Sequence, residues 1–363
     1  MQTQAAVLRA QKQPVSVETL EIDSPKRGEV LLKMVGAGVC HSDYHAVDGH
    51  TKTFVGPMIL GHEGAGTVAD VGEGVDWLKP GDKVILSLDS MCGRCRNCTA
   101  GHPSLCETNF TYGASMPDGT TRFHKNGERI NHRTPTFTDY SIALEDKCVL
   151  VPEDTNLEAA CLISCGIITG VGAVVNRAKV PTGSTMAVFG CGGVGLSVVQ
   201  GGSLANAAQI IAVDTVDFKL EKAAEMGATH FVNAAKEDPV ARILEITSGG
   251  ADYAFEVVGL PAIAKQAFNS TRPLGTTVLV GVFPTGAEMA VDGWELLRGR
   301  TILGNWHGDG RPRVDFLWLL EMEKQGKLKL DEMITRYRPL DEINEAFADM
   351  TAGEAARSVL TFR

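Results

Sequence analysis

The stretch from residue 185 to residue 214 leaves this chain the fewest choices of fold. Thr185-Met186-Ala187-Val188-Phe189 is an apolar run of strand length, and it passes straight into Gly190-Cys191-Gly192-Gly193-Val194-Gly195, a G-x-G-x-x-G. Residues 196–208 then read as a helix, and 209–213 as a second buried strand. A lone glycine pattern of this kind is weak, but one that ends a strand and opens a helix is strong. Gly190, Gly192, Gly193 and Gly195 allow a tight turn there, and backbone N–H groups at a helix N-terminus can hold a pyrophosphate. Asp214 follows Gly195 by 19 residues. A carboxylate at that distance binds the hydroxyls of an adenosine ribose and repels a 2′-phosphate, so NAD is expected over NADP. The alternation continues with a helix at 219–226 and strands at 229–233, 252–258 and 276–281. The segment 167–306 is therefore expected to be an α/β unit with a doubly wound parallel sheet.

At 363 residues the chain exceeds what one hydrophobic core usually supports, so a second domain is expected. The formal net charge of -10, with no run of Lys or Arg, argues against nucleic acid and leaves small molecules as the expected partners. No secretory signal is read at the start of the sequence. Segments 159–176 and 182–213 are long and uncharged, but rich in Gly and polar residues, so no membrane span is expected. The nine cysteines do not make a small disulfide scaffold, which favours a reducing, cytoplasmic setting.

Residues 1 to about 90 read as short strands broken by Gly- and Pro-containing turns, a compact β domain. Within it, Val39-Cys40-His41-Ser42-Asp43-Tyr44-His45 and Gly61-His62-Glu63-Gly64 concentrate thiol, imidazole, hydroxyl and carboxylate groups. A catalytic zinc takes three protein ligands and keeps one position open, and Cys40 and His62 could supply two of them. Cys161 or Cys165 could be the third, and spacing does not choose between them. Cys92, Cys95, Cys98 and Cys106 form a C-x₂-C-x₂-C-x₇-C run, which matches a tetrahedral structural zinc better than an iron–sulfur site or free thiols. Residues 108–138 read as loop, with turns at Pro117-Asp118-Gly119 and Lys125-Asn126-Gly127. Strand character returns over 137–151. Beyond 307, helices are expected at 316–325 and 343–350, with a final strand at 358–362 that could rejoin the first domain.

Taken in order, Gly-Val-Cys40-His-Ser-Asp, Gly61-His62-Glu63, the four-cysteine run, Ser164-Cys165-Gly166 and the dinucleotide fingerprint resemble the zinc-dependent medium-chain alcohol dehydrogenases over essentially the whole chain. The resemblance implies a GroES-like β-rich catalytic domain from residues 1–166 and 307–363, with a structural zinc lobe at 92–106. It places a Rossmann NAD-binding domain at 167–306, with substrate and nicotinamide meeting in the cleft between the two. It implies two zincs per chain: a catalytic one on Cys40, His62 and Cys165, and a structural one on Cys92, Cys95, Cys98 and Cys106. Cys148, Cys161 and Cys191 match no ligand position. By the same match, Asp43 orients His62 and Glu63 is an acid that can approach the metal. Ser42 and His45 relay the alcohol proton to the surface. Lys219 joins Asp214 at the ribose, His41 and Arg357 contact the pyrophosphate, and Thr169 and Val194 lie on the nicotinamide side. The family further implies homodimers or homotetramers.

Two departures from the family bear on substrate. Leu88 stands where liver-type enzymes carry a Phe in the pocket, and it widens that side. Phe110 stands where glutathione-dependent formaldehyde dehydrogenases carry an Arg that anchors the adduct's carboxylate. From the sequence, a primary alcohol, aromatic or medium-chain, and its aldehyde are the expected substrates, and a thiol–formaldehyde adduct ranks second.

Overall fold

The computed structural model describes residues 1–50, 54–110 and 114–362. The chain divides into two compact units: Met1–Cys165 with Arg311–Lys324 and Leu330–Arg363, and Gly166–Gly310 with Gln325–Lys329.

The second unit is built on six strands in the spatial order His230–Asn233, Gln209–Asp214, Thr185–Phe189, Ala251–Glu256, Thr271–Leu279 and Thr301–Gly304, every neighbouring pair parallel. Parallel neighbours need crossovers, and the helices Gly193–Leu204, Asp217–Glu225, Pro239–Ile246, Pro261–Asn269 and Gly293–Leu297 lie in the five connections. Ala187, Phe189, Ile211, Val213, Val232 and Ala254 belong to one buried cluster. Burial on both faces explains why these strands read as continuous apolar runs instead of alternating ones. The chain leaves Thr185–Phe189 for one side of the sheet and later returns to its other side, which makes the end of that strand the topological switch point where such sheets bind ligands.

In the first unit, a five-stranded sheet runs Met58–Ile59, Gln2–Leu8, Ser16–Ile22, Phe123–Lys125 and Glu128–Ile130. A seven-stranded sheet is centred on Glu29–Gly38, which pairs Glu63–Val71 on one edge. Its other edge is shared in tandem by Tyr140–Leu144 and Arg357–Thr361. The final strand thus lies antiparallel beside residues 36–38, with Val359 opposite Gly38.

Three sequence expectations change. The stretch 108–138 is not all loop: Phe123–Lys125 and Glu128–Ile130 form a hairpin whose tip, Asn126 and Gly127, has φ of 49° and 81°, the left-handed pair that a tight two-residue hairpin demands. The strand expected over 137–151 is two strands, Tyr140–Leu144 and Cys148–Leu150, separated by a 3-10 turn at Glu145–Lys147. The polar stretch after Cys40, which carries no apolar periodicity, is a helix, His41–Asp48. Among the described residues, no single helix is long and apolar enough to cross a membrane.

Candidate active site

The helix His41–Asp48 starts where the central strand ends. Cys40 is its N-cap residue, extended at φ −123° and ψ 150°, and the helical phase turns Asp43 and Ala46 inward while His41 and Ser42 stay exposed. Asp43 Oδ1 accepts the Gly61 N–H at 3.0 Å and stands 2.9 Å from His62 Nδ1. One buried carboxylate therefore fixes both the loop carrying His62 and the orientation of its ring. Far downstream, Ser164 Oγ accepts the Gly64 N–H at 3.1 Å and donates to the Gly64 carbonyl at 3.2 Å, which pins the turn Cys161–Ser164 to the Glu63–Val71 strand. Cys165, the next residue, is thereby delivered to the same place. The ligand atoms of Cys40, His62, Glu63 and Cys165 all lie within 4.8 Å of one another, and all four residues are buried. Cys161, the alternative that spacing left open, is outside this group and donates its Sγ–H to the Glu158 carbonyl at 3.1 Å.

These donors fit a zinc ion. His62 Nε2 is buried and has no hydrogen-bond partner, while Nδ1 faces Asp43. Against burial, the charges of Asp43 and Cys40 hold the imidazole well above its ordinary pKa; donation of Nδ1–H to Asp43 would leave Nε2 as the nitrogen for a metal. A hydrogen bond from Cys165 holds the Cys40 thiol well below its ordinary pKa, and Cys165 is raised in turn by that bond and by burial. Two buried thiols sharing a proton beside an orphaned imidazole nitrogen are a costly arrangement that a dication relieves.

Glu63 and Arg357 form a buried ion pair next to this cluster. Burial pushes the Glu63 carboxyl up to about 7 against the attraction of Arg357, and its Oε1 has no partner. The pair has room because residue 38 lacks a side chain: a Cβ there would stand 2.1 Å from Glu63 Oε2 and 2.9 Å from an Arg357 nitrogen. Nothing in the sequence of the Gly36–Gly38 stretch signals that role.

Cys92, Cys95, Cys98 and Cys106 converge in the same way, with sulfurs within 4.8 Å of one another. The Cys95 N–H points at Cys92 Sγ and the Cys98 N–H at Cys95 Sγ, each at 3.4 Å. Bonds from the Cys98 and Glu107 N–H groups bring the Cys95 thiol down to about 6, so a thiolate is favoured there before any metal arrives.

In the second unit, the fingerprint loop closes tightly: a Cβ on Gly195 would lie 1.8 Å from the Gly190 carbonyl oxygen. Asp214 Oδ2 accepts the Cys191 N–H at 2.8 Å, and Oδ1 accepts those of Thr215 and Val216 at 2.8 and 3.1 Å. The carboxylate is thus locked beside the glycine loop at the switch point. Lys219, half-buried, sits in the following helix, and Val194 in the first turn of Gly193–Leu204. Thr169 lies in the helix Gly166–Gly172, where its carbonyl accepts from Asn305 at 3.5 Å. Asp214→Gly is expected to narrow the preference for NAD over NADP by about 10–100-fold, since it removes the like charge facing a 2′-phosphate. The ratio of kcat/KM for the two cofactors measures it, and an unchanged ratio would remove that role.

Other expected residues are placed as follows. His45 is partly buried, one turn after Ser42. Leu88 is partly buried. Phe110 ends the turn Glu107–Phe110, but its side chain lies outside the described part of the structure. Sequence reasoning passed over a third convergence, His45 with Asp48 and His50.

The chain is similar to known proteins over nearly its whole length. Residues 26–153 match the family model "Alcohol dehydrogenase GroES-like domain", and residues 193–322 match "Zinc-binding dehydrogenase". The S-(hydroxymethyl)glutathione dehydrogenase of Saccharomyces cerevisiae is 40% identical, covering 98% of this chain and 95% of its own. The class-3 alcohol dehydrogenase of Dictyostelium discoideum is also 40% identical, over 98% and 97%. Among solved structures, benzyl alcohol dehydrogenase from Acinetobacter calcoaceticus superposes with a TM-score of 0.95 at 34% identity, covering 100% of both chains.

Proposed function

The chain belongs to the zinc-dependent medium-chain alcohol dehydrogenases, an oxidoreductase family that binds zinc and NAD, and from this premise we propose that it removes two electrons from a hydroxymethyl group, converting it to the corresponding carbonyl group, with NAD as the hydride acceptor. The observation that carries this reading is the convergence of Cys40, His62 and Cys165 on one buried point, with Asp43 behind the imidazole. Zinc held there supplies a Lewis acid: it lowers the pKa of a bound water from about 15.7 to about 7, and a comparable drop for an alcohol is worth roughly 12 kcal/mol.

The chain's own residues do the rest. Two thiolates and a neutral imidazole cancel the charge of the ion, so the site gains a negative charge only when the substrate hydroxyl gives up its proton. Ser42 and His45, three residues apart on the helix His41–Asp48, share a face and carry that proton outward. Within the second unit, Asp214 and Lys219 would hold the adenosine ribose, and Thr169 and Val194 would serve the nicotinamide side. The carbon that bore the hydroxyl transfers hydride to NAD, and the products are the carbonyl compound, NADH and the relayed proton.

For the substrate, the ranking drawn from sequence is reversed. The thiol–formaldehyde adduct comes first, supported by relatives named for that reaction at 40% identity over 98% of the chain. In that reaction a hydroxymethyl thioether becomes a formyl thioester. A primary aromatic alcohol is the second reading, supported by the likeness to benzyl alcohol dehydrogenase and by the uncharged Phe110. Initial rates of NAD reduction with formaldehyde, alone and with glutathione or mycothiol, compared with benzyl alcohol and a series of linear alcohols, decide between them. Formaldehyde oxidation that requires the thiol is the expected result. Turnover of benzyl alcohol with no thiol stimulation would reject the adduct, and no turnover with any of them would reject both.

A further inference from the structure

The helix that Cys40 precedes as N-cap ends in a second cluster of metal-binding groups. Asp48 is its last residue, and Gly49, left-handed at φ 90°, turns the chain so that His50 folds back over the helix end. His50 Nδ1 comes to 2.7 Å from Asp48 Oδ2, and His45 Nδ1, one turn back, stands 3.7 Å from the same oxygen. The two imidazole rings are 5.1 Å apart, and the three ligand atoms all lie within 4.8 Å of one another. His45 Nδ1 is buried and has no hydrogen-bond partner, so its electron pair or proton is directed at the cluster without being satisfied there. The Asp48 carboxyl stays ionised: burial opposes this, but bonds from the His50 backbone and ring outweigh it and hold the group below its usual range.

Two imidazoles and one carboxylate are a donor set for zinc, copper or nickel, and three protein ligands leave coordination positions for water. Tetrahedral zinc at its usual bond lengths wants donor atoms about 3.3 Å apart. The present spacings bracket that value, and His50, more than half exposed, is free to adjust. We propose that His45, Asp48 and His50 form a third metal site, for zinc or a similar divalent transition ion, and that filling it withdraws His45 from proton transfer. An imidazole whose Nδ1 holds a metal cannot take a proton at that nitrogen, so the site would act as a brake on turnover driven by free metal. The binding rests on the geometry of the cluster. The brake rests also on the relay reading given above for His45.

The test uses the enzyme already loaded with two zincs. Equilibrium dialysis against added Zn²⁺ is expected to show a third ion on the wild type and none on His50→Gln or Asp48→Asn, neither of which alters a residue of the reaction itself. In parallel, saturating the third site is expected to slow NAD reduction at least ~10-fold in the wild type and to leave both variants within about twofold. Two zincs on the wild type, or a third one retained by both variants, would overturn the site. A third ion that binds only the wild type and leaves its rate unchanged would overturn the brake, and with it the assignment of His45 to the relay.

Discussion

Cys165→Ser is expected to release one zinc per chain and to abolish NAD reduction, while the protein stays folded and keeps its other zinc. Serine preserves the shape of the turn but replaces a thiolate donor with a hydroxyl that is not ionised near neutral pH, and the remaining pair, Cys40 and His62, falls short of the three ligands that catalytic zinc takes. Loss of a partner behind a ligand costs about 10–100-fold in metal affinity, and loss of a ligand itself costs more. The tie between Ser164 and Gly64 does not involve the sulfur, so the backbone has no reason to move. Metal analysis should fall from two zincs to one, with the melting temperature little changed. Two zincs retained in this variant would show that Cys165 is not a ligand. The same substitution at Cys161, which lies outside the cluster, should leave the zinc content alone and so serves as the control.

Cys106→Ser should have the opposite signature, losing stability more than chemistry. Between Cys92 and Cys106 only Ser104 and Cys106 are buried, so this lobe has almost no hydrophobic core to hold it. A structural zinc site contributes on the order of 10–16 kcal/mol of folding free energy in small peptides. Even a fraction of that, several kcal/mol, would lower the melting temperature by more than about 5 °C in a unit of this size. The expected result is loss of the lobe's zinc, a depressed melting temperature and new proteolytic cleavage confined to the lobe. A variant that melts like the wild type, with one zinc missing, would make this cluster dispensable to the fold.

The two variants probe features that differed in how far the sequence revealed them. The cysteine run and the glycine fingerprint are local: their ligands or N–H groups lie within a few residues, so spacing alone carries the geometry. Asp214 was legible for the same reason, because one strand and one helix set its distance from the glycines. Spacing alone did not single out Cys165, which only the family resemblance supplied, since it reaches Cys40 through the hydrogen bonds that hold Ser164 on a distant strand, and Cys161 has the same residue type four positions earlier. The helix His41–Asp48 went unread because its face toward the core is only Asp43 and Ala46, too polar and too narrow to leave an apolar period. The Asp48–His50 contact followed it out of view, since it depends on a left-handed cap at the end of a helix that had not been read. Gly38 shows a further limit. A glycine reads as a turn or a weak strand position, and only the coordinates reveal that two charged side chains occupy the space its Cβ would take.

The pairing of Glu63 with Arg357 also has a consequence in time. The two residues are separated by 294 positions, and the strand that carries Arg357 closes the sheet beside Gly38. At a synthesis rate of about 5–20 residues per second, Glu63 leaves the ribosome roughly 15–60 s before its counter-ion does. Through that interval the nascent chain presents an open edge at residues 36–38 and a carboxylate without its cation, and all six strands of the dinucleotide-binding unit are made before it ends. Nascent chains halted before residue 357 should therefore show a protease-resistant second unit and an unfinished first one, which makes the metal-binding half the later and more chaperone-dependent part of the molecule to mature.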